Sequence, residues 1–362
     1  MGRAIKWMNF LLLFLSIVSG SLSAQIWAQD IIRVGLLDLN DIPSFRCQSA
    51  LGSHEWMLPN GQVLGPLDGM PTITSQAGSF QINSGEFSGH TPYVILRPKT
   101  HDARLRIVTE ALGYRQYPGA IHFIHVRGTP RLIMESAMEN YLPGVLAAEV
   151  GKGHAMPFYE AHAVISRSYA VQSIDRHRMD GYDLCDQVHC QVFKGTSTVN
   201  DTLHLACQTT RSLVLIDRIG RVATAAFHSN CGGQTRNGHD VWNGQMPYLQ
   251  SIEDTTCSNA PHARWQRTVP RQEWDEFWSV HAVDSIQGIL NARHKFHWPS
   301  ASFKITYDPS IPDVYQVDGR GFGHGVGLCQ EGAMQRALTG SSAWEILQNY
   351  YTGVRLLRFS HP

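Results

Sequence analysis

The hydrophobic period of this chain changes once, near residue 130, and that change limits the folds open to it. From Asp30 to about Thr129, short apolar runs are broken by Gly, Pro, Asn and Asp. Ile31–Leu37, Phe80–Ile82, Tyr93–Leu96 and Leu105–Val108 read as strands, with Pro66, Pro71, Pro92 and Pro98 between them. Beyond 130 the spacing becomes helical. Leu142, Val145, Leu146 and Glu149 fall at i, i+3, i+4 and i+7 and share one face. Asn140 is placed to cap that helix, Pro143 to occupy its first turn and Gly151 to end it. A second helix carries Phe158, Ala161, Ile165, Ser168 and Tyr169 on one side. Strand runs return at Leu213–Ile216 and Val222–Phe227, and Ser342 with Glu345 forms a capping box for a last helix after Gly340. The expected class is α+β, with a β-rich N-terminal region followed by a helix-bearing one.

The first 28 residues read differently. Arg3 and Lys6 precede the apolar run Met8–Val18, and small residues follow through Ala24, with exit sites after Ala24 or Ala28. This is the layout of a secretory signal peptide, so the mature chain is expected in a secreted or periplasmic setting with no transmembrane helix. In such a compartment cysteines pair or bind metal, but seven in a chain of 362 are too few to build a disulfide scaffold. The fold must rest on an apolar core, which 43% hydrophobic residues can supply. Lys+Arg and Asp+Glu balance at 30 each, which excludes a basic nucleic-acid binder.

Several places could carry chemistry. A carboxylate at Glu149 on an apolar stripe would be desolvated, and desolvation holds a carboxylic acid protonated near neutral pH, as a general acid requires. Arg167, on the next helix, could bind polar sugar groups or orient a carboxylate through its rigid fork. The stretch Phe227-His228-Ser229-Asn230-Cys231-Gly232-Gly233 ends a strand in polar residues beside exposed backbone, with Trp242 and Tyr248 as flat surfaces for a sugar. Gly319–Gln330 has glycines at alternate positions and presents His324 and Gln330. It is not a dinucleotide fingerprint, because Val326 stands where the last glycine is needed counting from Gly321. His177 with Cys185 and Cys190 has the donor types of a zinc site, and a Cys185–Cys190 disulfide is the rival. No G-x-S-x-G, H-E-x-x-H or P-loop pattern occurs.

Taken in order, these blocks resemble the sporulation stage II protein D family, SpoIID/LytB. They are Met138–Glu149, Ala161–Ala170, Tyr182–Cys185 through Gln191, Phe227–Gly233, Val241-Trp242, Pro247–Ile252, Gly321–Gln330 and Ile346–Gly353. The resemblance spans 104–358, leaving 30–103 as a β-rich region without counterpart. It implies a SpoIID-like catalytic region in which β-rich lobes flank a cleft beside a helix carrying the catalytic glutamate, Glu149. The implied activity is a peptidoglycan lytic transglycosylase associated with the cell wall, which cuts the MurNAc-β-1,4-GlcNAc bond and leaves a 1,6-anhydro end. Its substrate would be peptidoglycan glycan strands, including strands stripped by an amidase. Arg167, Tyr169, His228, Ser229, Trp242, His324 and Gln330 would line the substrate site. His177, Cys185 and Cys190 would hold a structural zinc, and the chemistry itself would need no cofactor. The alternative is a non-catalytic glycan-binding enhancer of a partner amidase. Two departures stand out: Val150-Gly151-Lys152-Gly153 follows the glutamate where Met-Pro is frequent, and Cys231 and Cys329 stand where Thr or Ser is common. A Cys231–Cys257 disulfide is a further expectation.

Overall fold

The computed structural model describes residues 31–358 apart from 41, 85–86, 243 and 282–284. The signal-peptide expectation for 1–28 lies outside the described residues. The chain is α+β and divides into two units. One comprises the chain up to Gly151 with 173–213 and the end from Arg358; the other comprises 152–172 and 214–357. Among the described residues, no helix is long and apolar enough to cross a membrane.

The first unit is built on two sheets. Its strands are β1 (Ile31–Gly35), β2 (Ser44–Leu51), β3 (His54–Met57), β4 (Val63–Pro66), β5 (Thr72–Gln76), β6 (Ser79–Ser84), β7 (Phe87–Thr91), β8 (Tyr93–Pro98), β9 (Arg104–Thr109), β10 (Gly113–Pro118), β11 (Ala120–Val126), β12 (Thr129–Ala137) and β13 (Leu184–Cys185). One sheet runs β13-β1-β12-β11-β8-β3-β4 and the other β10-β9-β2-β5-β6-β7. Alternation explains how they pack. In β9, Leu105, Ile107 and Thr109 turn inward while Arg104, Arg106 and Val108 are more open. Phe123 of β11 stacks on Phe45 of β2 at 5.5 Å and meets Phe80 of β6 edge-on at 5.8 Å, so aromatic rings from both sheets fill the space between them.

A boundary at 103/104 therefore falls inside this pair of sheets. β9 and β10, on its far side, hydrogen-bond into the sheet of β2, and β11 pairs with β8. The resemblance begins within a sandwich whose other strands precede it.

The helix Met138–Glu149 starts three residues earlier than its capping signal suggests. β12 runs directly into it, so Ala137 holds the cap position with no side-chain bond, and Pro143 lies inside the helix instead of its first turn. The backbone is already fixed by the β1–β12 ladder up to Ala137, which removes the need for an Asn140 cap. Gly151 does follow the end in a left-handed conformation, φ +69°.

In the second unit the helix Met156–Gln172 is buried almost all round, including Phe158, Ala161, Ile165 and Ser168. Leu213–Ile216 forms a strand as expected, but of Val222–Phe227 only the end, in Phe227–His228, is strand. Side chains take the backbone groups that a longer ladder would need: the Tyr248 hydroxyl accepts from the Thr224 amide, and the Tyr351 hydroxyl donates to the Ala226 carbonyl. Tyr248 is thus a core residue, not a flat sugar platform. Arg264–Pro270, Phe303–Tyr307 and Val314–Arg320 make a three-stranded sheet over a core of Trp265, Trp274 and Trp298. The Ser342/Glu345 capping box forms, and Gly340 takes φ +99° after the helix Gln330–Leu338.

Candidate functional site

In the first unit Glu149 is the last residue of its helix. Leu142, Val145 and Leu146 are fully buried, whereas Glu149, one turn on, is half-buried. Desolvation raises its carboxyl above the ordinary range, and one backbone donor opposes this: the Val192 amide donates to Oε1 at 2.7 Å. That amide is held in place by its neighbour. The Phe193 ring lies 5.0 Å from Tyr141, against Gly144, where any Cβ would collide with it. Gly144 is what allows the 191–193 segment to lie so close to the helix.

The same segment follows a compact group of donors. His177 Nε2 lies 3.3 Å from Cys190 Sγ, and His189 Nδ1 lies 3.8 Å from Cys185 Sγ and 3.5 Å from Cys190 Sγ. All four ligand atoms fall within 4.8 Å of one another. Tetrahedral zinc with ordinary Zn–S and Zn–N bonds spaces sulfur and nitrogen about 3.5 Å apart, so two thiols and two imidazoles at these distances fit that ion. The other nitrogen of His177, Nδ1, faces Asp180 at 3.6 Å, the carboxylate–histidine pairing that orients metal ligands. β13 pins Cys185 to the sheet edge opposite Gly35. His189 is the member that sequence reasoning passed over. It stands four residues after Cys185 and one before Cys190. All seven cysteines are free thiols here, Cys185 and Cys190 included.

In the second unit, two sequence blocks meet as neighbouring strands. Phe227–His228 pairs in parallel with Leu328–Cys329. The glycines before Leu328 bring the loop in: Gly323 has φ +108° and a Cβ there would stand 2.8 Å from that of His228. His324 then lies 5.5 Å from His228 and 4.8 Å from Trp242, ring to ring.

Backbone partners settle what each ring presents. His228 Nδ1 donates to the Val326 carbonyl at 3.1 Å, so its Nε2 is an acceptor; it is buried with no hydrogen-bond partner among the described residues. His324 Nδ1 accepts from the Val326 amide at 3.1 Å, so its Nε2 carries the proton. Burial pushes His228 down to about 3 and His324 to about 4, and both are neutral at pH 7. The His228 acceptor is thus enclosed, and the His324 N–H has the Phe227 carbonyl as its partner.

The remaining candidates are placed as follows. Arg167 is buried, 1% exposed, and Tyr169 on the same helix is half-buried. Gln330 is committed inside the protein, its amide donating to His162 Nε2 at 3.1 Å. Ser229, half-buried, gives its carbonyl to the Glu331 amide. His162, missed from the sequence, is fully buried, packs 4.7 Å from Phe227 and is pushed down to about 3 by desolvation. Asp254 was also missed: it receives Arg336, Thr256 and Tyr350 at its carboxylate. Nothing in its local sequence marked it, since its partners lie up to 96 residues away.

Comparison with known proteins agrees with the motifs. Residues 127–216 match the family of Stage II sporulation protein, SpoIID. The chain is 28% identical over 271 residues to an uncharacterized protein of Brachyspira hyodysenteriae, covering 68% of this chain and 73% of that one. It is 24% identical over 256 residues to the Stage II sporulation protein D of Bacillus subtilis, covering 60% and 74%. To the amidase enhancer of the same organism it is 25% identical over 368 residues, covering 78% of this chain and half of that longer protein. The SpoIID resemblance read from the motifs is borne out.

Proposed function

We propose that this chain is an exported lytic transglycosylase that cleaves the MurNAc-β-1,4-GlcNAc bond of peptidoglycan. The observation that carries the reading is Glu149, a half-buried carboxyl raised by desolvation on the element that matches the family. Its proton goes to the bridging oxygen, and the C1–O bond breaks as an oxocarbenium-like sugar develops. The GlcNAc residue leaves with its hydroxyl restored. The Glu149 carboxylate then takes the proton of the sugar's own C6 hydroxyl, which bonds to C1 and closes the anhydro ring. Water is not consumed, so one carboxyl serves where hydrolysis uses two. The Val192 N–H opposes full protonation and fixes the carboxyl group for both transfers. His228, His324 and the adjoining Trp242 are the residues assigned to glycan binding, with Trp242 supplying an aromatic face. Zinc held by His177, Cys185, His189 and Cys190 would serve structure, tying the loop that carries Val192.

The test is mass spectrometry of peptidoglycan, intact and amidase-stripped, after incubation with the wild-type chain and with Glu149→Gln. Fragments lighter than hydrolysis products by one water, absent with the variant, support the assignment. A second reading is a glycan-binding enhancer of an amidase, favoured by the relative that bears that name and aligns with 78% of this chain. Glycan binding without cleavage of either substrate would select it.

A further inference from the structure

Three cysteines and one aspartate of the second unit converge with no role in the scheme above. Cys231 follows the strand Phe227–His228, Cys257 ends the turn Thr255–Cys257, and Cys329 ends the strand Leu328–Cys329. Their sulfurs and a carboxylate oxygen of Asp254 all lie within 4.8 Å of one another, and all four residues are buried. We propose that Cys231, Cys257, Cys329 and Asp254 form a second, structural zinc site.

The spacing favours a metal over a disulfide. Cys231 Sγ and Cys257 Sγ stand 3.4 Å apart. A disulfide needs about 2.05 Å, whereas two thiolates on tetrahedral zinc sit about 3.8 Å apart. A disulfide would also use two sulfurs and strand the third. That third sulfur has backbone donors aimed at it: Cys329 Sγ accepts from the Cys231 amide at 3.3 Å and from the Gly332 amide at 3.4 Å, the latter at the start of the helix Gln330–Leu338. As thiols, Cys231 and Cys257 share the one carbonyl of Asp254, at 3.6 and 3.5 Å, and Cys257 also reaches Asn230 Oδ1 at 3.3 Å.

The carboxylate is oriented as a ligand would be. Arg336 Nη2 donates to Asp254 Oδ1 at 3.1 Å, and the Tyr350 hydroxyl donates to Oδ2, which stands 4.0 Å from Cys231 Sγ. Any side chain at Gly332 would strike this carboxylate, so the glycine lets the helix approach it. Soft thiolates with one carboxylate in a buried, four-donor set suit zinc, and the closed shell leaves no position for water. The site would cross-link segments 26 and 98 residues apart.

The experiment is metal analysis of the full chain purified without chelator, with Cys329→Ser and Tyr350→Phe alongside. The wild type should hold one zinc more per chain than Cys329→Ser, whatever the state of the His177 cluster. Tyr350→Phe keeps every ligand and the core volume; it should weaken that zinc by about 10- to 100-fold in a chelator competition. Equal zinc in wild type and Cys329→Ser overturns the proposal, as does a Cys231–Cys257 disulfide found by peptide mapping of the wild type. Neither readout uses glycan cleavage, so the site stands or falls apart from the transglycosylase reading.

Discussion

In the first unit, four sulfur and nitrogen donors come from one stretch of chain between His177 and Cys190, and one of them, His189, is open to solvent. In the second, Cys231, Cys257, Cys329 and Asp254 come from three separate segments, and none is exposed. Each group also borders a different part of the candidate chemistry. The first leads into Val192, whose amide holds the carboxyl of Glu149. The second flanks the imidazoles: Cys231 lies three residues after His228, and Cys329 pairs opposite it. A cluster built from local chain can order one loop, whereas a cluster built from distant segments ties together the strands that carry a binding surface. Under the proposed function, the difference would divide labour, the first group supporting proton transfer and the second ligand recognition.

That division can be broken at four points. The largest effect should come from Glu149→Gln, lowering anhydro-product formation by about 10²- to 10⁴-fold. The sign for stability is opposite. A carboxyl raised on folding stabilises fully only below its unfolded pKa, and that contribution is lost as pH rises. At pH 7 the Gln variant should therefore melt no lower than wild type, a result that separates a catalytic loss from misfolding.

Next in size, Cys190→Ser or zinc removal from the first cluster should release the Val192 loop and misplace the carboxyl, costing about 10²-fold in turnover with glycan affinity unchanged. Weaker glycan binding at unaltered turnover would contradict the division. Third, His324→Gln should raise KM about tenfold with little change in kcat, since one neutral hydrogen bond is at stake. An equal fall in kcat would bring this ring into the chemistry.

The last effect is on acid stability. His162 and His228 are both held down to about 3, so the stability they contribute is present above their unfolded value near 6.5 and is lost as pH falls from there towards 3. Each should steepen the loss by up to about 1.4 kcal/mol per pH unit. Chemical denaturation at pH 7 and pH 5 should show a smaller difference for His228→Gln than for wild type; an equal difference would mean that His228 is protonated in the folded chain.

What could be read from the sequence follows the same line between local and distant. The stripe Leu142, Val145 and Leu146, the Ser342/Glu345 box and the left-handed glycines before Leu328 are set by residues within a turn of one another. So was the His177–Cys190 group, short of His189. The β-rich start was recognised as strands, but its pairing was not, because β2 reaches β9 across an intervening hairpin and more. Likewise, Asp254 meets Tyr350 across 96 residues and His162 meets Gln330 across 168, and no window of sequence contains both partners.

One consequence of the strand-to-helix junction at Ala137 remains. Because β12 passes into Met138–Glu149 without a loop, the helix is fixed at its start and Glu149 falls at its carbonyl end. The aligned peptide dipoles put partial negative charge there, about half an elementary charge, and disfavour a carboxylate by about 0.3–1 kcal/mol. The main chain itself therefore helps Glu149 keep its proton. That contribution is set by where the strand stops, so substitutions around the carboxyl can change its solvation but leave this field in place.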